Sequence, residues 1–122
     1  MVEQVGGDHY KADYQHWDWV AETGLGYLEG NATKYLARWR KKNGRQDLEK
    51  ALSYIQKLLD IPGLTPARER LGYSPLKLQR FLRASGLDGT YEGDLITRLD
   101  SWRVEEDLSQ VVTYLKELIN GA

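Results

Sequence analysis

Residues 29–40 read EGNATKYLARWR and residues 92–103 read EGDLITRLDSWR. At this offset of 63 the stretches share Glu, Gly, Leu, Trp and Arg in the same order, and Asn31 meets Asp94. The segments that follow read QDLEKALSYIQKLLD from Gln46 and EDLSQVVTYLKELIN from Glu106. Here the offset is 60, so the second copy has three residues fewer between its helices. Asp47, Leu48, Tyr54 and Leu58 find Asp107, Leu108, Tyr114 and Leu118. Upstream, Thr23-Gly24-Leu25 matches Ser85-Gly86-Leu87. Amphipathic helices share Leu by chance, but not Glu-Gly, Trp-Arg and Tyr in one order. We read the chain as one unit present twice.

The unit is a helical hairpin. Leu28, Ala32, Tyr35, Leu36 and Trp39 recur three and four apart and predict a helix from about Tyr27 to Lys42. Asn43-Gly44 ends it. A third helix begins near Asp47, a first-turn acid or N-cap, and its stripe is Leu48, Ala51, Leu52, Ile55, Leu58 and Leu59. A short helix from about Tyr14 to Thr23 precedes the pair. The second half repeats the order: Pro75 to Ala84, Glu92 to Trp102, and Glu105 to Ile119. Strand patterns are absent. The expected fold is all-α: tandem duplicated helical hairpins forming a four-helix core, with short flanking helices. A hairpin cannot bury its apolar face alone, so two copies facing each other imply a pseudo-twofold. The chain is expected to be a single domain over 1–122, with a first repeat at 13–61, a linker at 62–74 and a diverged second repeat at 75–120.

Composition narrows the function. There is no cysteine, which excludes disulfides and thiolate metal sites. The net charge is −1, so the molecule is no polycation, and no sequence-specific nucleic-acid binding is expected. No apolar run reaches spanning length and no apolar signal core opens the chain, so no membrane partner is expected either. Four Trp and eight Tyr serve first as core, with base stacking as the alternative use.

The copies differ in charge. From Asn31 to Arg45 the first holds six basic residues and no acid: Lys34, Arg38, Arg40, Lys41, Lys42 and Arg45. Asn31, Lys34, Arg38 and Lys41 are spaced as one helical stripe, and Asp47, Lys50, Tyr54 and Lys57 repeat that spacing on the next helix. Packed antiparallel, the two stripes border one groove. It offers ammonium and guanidinium donors for phosphate, with an amide and a phenol for a base or sugar. The second copy places Thr97, Arg98 and Ser101 where the first has Lys34, Tyr35 and Arg38, and the Lys41-Lys42 stretch is deleted. The packing letters survive and the cationic stripe does not. A charged helix face is also the ordinary dress of a solvated helix, so the stripe is expected to be dispensable for folding.

Other motifs are weaker. Gly24-Leu25-Gly26 with Gly30 does not make the dinucleotide fingerprint, and no Walker A sequence is present. His9 and His16 with Asp8, Asp13 and Asp18 suit capping or core bonding better than a metal. No Ser/His/Asp set is recognisable, and no metal site is expected.

Asp8-His9-Tyr10, then Gly30-Asn31-Ala32-Thr33-Lys34-Tyr35-Leu36-Ala37-Arg38, Lys41-Lys42, Asp47-Leu48-Glu49-Lys50-Ala51 and Tyr54 together resemble a family of small bacteriophage proteins of unknown function. That family is related to the P-loop-less nucleotide kinase of phage T7. The resemblance covers about residues 7–60. It implies a phage-encoded nucleotide-binding protein with nucleoside monophosphate kinase-like phosphoryl transfer, in the cytoplasm of the bacterial host. The implied nucleotide or phosphate site is Asn31, Lys34, Tyr35, Arg38, Lys41, Lys42, Lys50 and Tyr54, with His9 and Tyr10 from the arm. Asp47 and Glu29 are the only, weakly supported, catalytic candidates, and magnesium is the one cofactor left open. The expected partners are a nucleotide or other phosphate-bearing small molecule and further copies in a homo-oligomer. Two readings stand beside it: binding and sequestration of a nucleotide or cyclic-nucleotide immune signal without turnover, and a protein-interaction module.

Overall fold

Several helices begin where a polar side chain meets the backbone N–H groups of the first turn. Asp18 reaches back to the Gln15 N–H at 2.9 Å and opens α1, His16–Thr23. Ser74 accepts the Lys77 N–H at 3.2 Å, with Pro75 at the first helical position. Thr90 accepts the Gly93 N–H at 2.9 Å. A computed structural model describes residues 13–122 and contains α1, α2 (Tyr27–Arg38), α3 (Arg45–Asp60), α4 (Pro75–Ala84), α5 (Tyr91–Asp100) and α6 (Glu105–Gly121). No strand occurs among the described residues, so the chain is all-α. No helix there is long and apolar enough to cross a membrane.

α2 and α3 pack as one hairpin and α5 and α6 as the other; α2 meets α5, α3 meets α6, and α1 meets α4. The pairs just named are preserved on exchanging the first three helices for the last three, as a pseudo-twofold requires, and α4 adds a contact with α5. Leu36, Leu48 and Ile55 of the first copy and Leu95, Leu99, Leu108 and Leu115 of the second are sealed between the hairpins. Near the axis the Trp19 and Phe81 rings, 62 residues apart, lie parallel with centroids 5.1 Å apart.

Two letters kept in both copies meet across this interface. The Trp102 indole N–H donates to Glu29 at 2.8 Å, and the Trp39 indole N–H donates to Glu92 at 3.2 Å. Each copy's glutamate is thus held by the other copy's tryptophan. Arg40 adds bonds of 2.6 and 3.2 Å to Glu92. Burial pulls the Glu92 pKa up, but the Arg40 bonds, a backbone N–H and Trp39 outweigh it and hold the carboxyl below its usual range.

The second helix is shorter than its periodicity predicts. It ends at Arg38 rather than Lys42, because Trp39 and Arg40 are drawn to Glu92 on α5. The chain closes through Lys42 N–H to Arg38 and Gly44 N–H to Trp39. Gly44 has φ 57° and ψ −131°, a conformation an L side chain resists, and it is the N-cap of α3. Lys41 and Lys42 therefore stand in a turn and do not extend the α2 stripe.

The connector at 62–74 is fastened at both ends. It contains a short 3₁₀ turn, Ala67–Glu69, with Ala67 buried. The Arg70 guanidinium donates to the Thr23 carbonyl at 2.8 Å, the Ala67 carbonyl at 2.7 Å and the Asp100 carbonyl at 3.0 Å. It also pairs with the buried Asp100 carboxylate. One arginine therefore ties the end of α1 to the end of α5.

Candidate functional site

The cationic letters of the first copy converge on one ring. Tyr35 on α2 is half-buried and stacks on Tyr54 of α3, with centroids 6.0 Å apart and planes 13° apart. The Arg38 guanidinium lies 4.8 Å from the Tyr35 centroid, the Lys50 ammonium 5.3 Å and the Lys34 ammonium 5.6 Å. The α2–α3 packing brings them there: Lys34, Tyr35 and Arg38 come from one helix, Lys50 and Tyr54 from the other. Tyr27 meets Tyr54 edge-on at 6.4 Å and continues the aromatic surface.

Asp47 fixes Arg38. Its carboxylate is fully buried and accepts four bonds: Arg38 Nε at 3.2 Å, Arg38 Nη2 at 3.3 Å, the Asn43 N–H at 3.2 Å and the Asn43 amide at 3.4 Å. Burial pulls the Asp47 pKa up, but the bonds from Arg38 and Asn43 outweigh it and hold the carboxyl below its usual value. Asp107 accepts the Arg103 and Val104 N–H groups at the same place in the second copy. The aspartate is thus a first-turn acid in both copies. Arg38 departs from the expectation that the stripe is dispensable for folding, because removing it strands a buried carboxylate.

Both catalytic candidates are committed to protein partners. Asp47 has the four bonds above. Glu29 is buried and holds the Trp102 indole, facing the interface between copies rather than the Tyr35 ring. Among the described residues no group of three or more His, Asp or Glu side chains converges.

The remaining residues spread outward. Asn31 sits one turn before Tyr35 and donates from its amide to the Tyr27 carbonyl at 2.9 Å. Lys41 and Lys42 are exposed in the turn after α2. His9 and Tyr10 lie outside the described residues. Among those described, Lys34 and Lys50 have no acidic partner within ion-pair distance.

Sequence reading passed over two exposed rings. Tyr27 and Trp17 are 75% and 70% exposed, unusual for such large rings beside an apolar groove. That groove, about 280 Å³, runs between α1 and α2 and ends at Lys34. Aromatic residues in a helical pattern read as core, so only surface exposure could have singled these two out. His16, expected to serve capping or core bonding, meets Thr33 Oγ1 through its Nε2 at 2.8 Å. Thr33 Oγ1 turns its own hydrogen to the Glu29 or Gly30 carbonyl, so His16 Nε2 carries the proton in their bond. Burial first, and Lys34 second, push the His16 pKa down to about 4, so the ring is neutral near pH 7.

The second copy shows the same place closed on itself. Arg98 stands 63 residues from Tyr35, pairs with Asp94 at 2.8 Å, and lies 4.9 Å from the Tyr114 ring centroid. Asp94 itself occupies the position of Asn31.

No curated protein matches the chain, and no solved structure does. Residues 5–56 match the model of a family described as a protein of unknown function (DUF3310). The match is under half the chain, and it contains every residue gathered around Tyr35 and none of the second copy: the similarity to that family is a similarity of the first hairpin.

Proposed function

We propose that the chain is a nucleotide-binding protein whose phosphate site is the cationic ring around Tyr35. One observation carries this reading. Lys34, Arg38 and Lys50 gather around one aromatic ring, and among the described residues Asp47 is the one acid paired with any of them, while the second copy neutralises its own cation with Asp94. Lys34 and Lys50 supply mobile point charges, and Arg38, held by Asp47, supplies a fixed one. Lys41 and Lys42, exposed in the turn after α2, are available to a second phosphate. Asn31 and Tyr54 would orient sugar or base.

The resemblance to the phage family adds nucleoside monophosphate kinase-like transfer to this reading. Positioning and charge neutralisation are most of what phosphoryl transfer asks of a protein. With Asp47 and Glu29 engaged, magnesium would arrive on the nucleotide. The same two commitments favour a second reading, in which the site binds and sequesters a nucleotide or cyclic-nucleotide signal without turnover. The bacterial cytoplasm and a homo-oligomeric state belong to this proposal as well. A protein-interaction module predicts no nucleotide effect at all.

The test is thermal melting with nucleotides and cyclic oligonucleotides, followed by a turnover assay of any hit with a triphosphate donor. A raised melting temperature with product supports transfer, and one with unchanged ligand supports sequestration. Lys34→Ala abolishes the ligand-induced rise and leaves the unliganded protein unchanged. Arg38→Ala abolishes the rise and also lowers the unliganded melting temperature. No rise with any ligand would sink both nucleotide readings.

A further inference from the structure

We infer that the groove between α1 and α2 is the nucleobase subsite of this phosphate site, so that the protein recognises a nucleotide by its base as well as its charge. The inference rests on the nucleotide-binding reading above. The groove is lined by Val20, Leu25 and Gly30 on its buried side and by the exposed rings of Trp17 and Tyr27. Its lining is mainly apolar, and its volume of about 280 Å³ sits at the small end for ligand sites, which suits a single base.

Two residues make the groove continuous with the cations. Lys34 lines it and also stands 5.6 Å from the Tyr35 centroid. Tyr27 lines it and also meets Tyr54 edge-on. A ligand that fills both places has a flat apolar body and an anionic end, as a nucleoside phosphate does. Stacking on exposed aromatic rings tolerates any base, and Asn31 at the rim adds an amide for its polar edge.

The second copy argues the same way. At the positions 62 or 63 residues on, Gln79 stands for Trp17, Thr90 for Tyr27, Asp94 for Asn31 and Thr97 for Lys34. The rings and the lysine disappear together, although they belong to different helices. Gly30, by contrast, lacks a side chain the fold could accommodate: an added Cβ would meet only Val20, at 3.7 and 4.0 Å. The space above it is left open within the groove lining.

Calorimetric titration of the full chain with AMP, GMP, CMP, dTMP and deoxyribose 5-phosphate tests this. At least one nucleotide binds about tenfold or more tightly than the sugar phosphate, the scale of one stacked base. Trp17→Gln removes about that factor for the nucleotide and leaves sugar-phosphate binding unchanged, and Tyr27→Ala weakens the nucleotide at least as much. Lys34→Ala weakens both. Both rings are exposed, so melting temperatures of the two aromatic variants stay at the wild-type value. If nucleotides bind in a Lys34-dependent way but equally well to both aromatic variants, or no better than the sugar phosphate, the groove inference is overturned and the phosphate site stands. If Trp17→Gln changes the mass by light scattering and leaves nucleotide affinity intact, the groove belongs to a second copy and the inference is again overturned. If no nucleotide binds, the nucleotide reading itself fails.

Discussion

The two hairpins use the same frame and opposite surfaces. Glu29 reaches Trp102 and Glu92 reaches Trp39, so the interface is written once and read twice. On the outer face the first copy gathers Lys34, Arg38 and Lys50 around Tyr35, while the second pairs Arg98 with Asp94 over Tyr114. Letters that meet across the interface are kept, because changing one strands a buried partner. Letters on the outer face are free to change, since exposed charges cost or contribute about 1 kcal/mol or less at a solvated surface. Arg38 is tied to the fold through the buried Asp47, but Lys34 and Lys50 have no such tie among the described residues, and it is these two that the proposed ligand would account for.

The exchange between copies is the part of this comparison most open to attack. Trp102 is 7% exposed and is the donor recorded for Glu29 among the described residues, whereas Trp39 is half-buried and shares Glu92 with Arg40. Trp102→Ala is expected to cost about 3–5 kcal/mol, and Trp39→Ala clearly less. Urea denaturation followed by circular dichroism measures both. The wild type and both variants unfold in one transition, because neither hairpin has a core of its own. Two separate transitions, or equal losses for the two variants, would show that the copies do not form one cooperative body.

Much of the frame was legible in the letters. The duplication, the six helices and the pairing of Leu36 with Leu99 and Leu48 with Leu108 follow from spacing alone. The reason for keeping Glu-Gly and Trp-Arg did not, because each glutamate finds its tryptophan 73 or 53 residues away. Periodicity cannot report a contact between helices from different copies. The same blindness hid the partner of Glu29 and carried α2 on to Lys42. The site was legible where residues share a helix, as Lys34, Tyr35 and Arg38 do. Lys50 and Tyr54 were legible because their spacing repeats on the partner helix. Trp17 and Tyr27 were not, since sequence does not distinguish an exposed ring from a buried one.

His16 offers a sharper and smaller contrast. Its counterpart 62 residues on is Leu78, so only the first copy has a part-buried ionisable ring at this position. The folded pKa of about 4 lies below the ordinary 6.5. Below pH 6.5 the unfolded chain takes up a proton that the native chain refuses. The contribution of His16 is therefore fully present above pH 6.5 and is lost as pH falls toward 4, by roughly 2–3 kcal/mol in all. Calorimetry at pH 7.5 and 5.0 should show a fall in melting temperature that His16→Leu, copying the second hairpin, largely removes. A wild-type melting temperature that is flat across this window would mean that the ring is solvated when charged.

The repeated Glu-Gly pair gives the smallest effect and the cleanest difference in sign. A Cβ on Gly93 would lie 2.1 Å from the Leu87 carbonyl oxygen, so Gly93→Ala forces backbone to move and is expected to cost about 1–3 kcal/mol. A Cβ on Gly30 would find ordinary contact with Val20, and Ala is the better helix former by about 0.5–1 kcal/mol. Gly30→Ala should thus raise the melting temperature of the unliganded protein where Gly93→Ala lowers it. The fold asks for glycine at one of the two positions, and at the other the groove between α1 and α2 is what a methyl group would narrow. The decisive reading is the pair of measurements together: a Gly30→Ala protein that is more stable alone yet weaker for nucleotide assigns this glycine to the ligand. If it is more stable and binds unchanged, the missing side chain serves neither folding nor the groove, and the kept letter reflects the ancestry of the repeat alone.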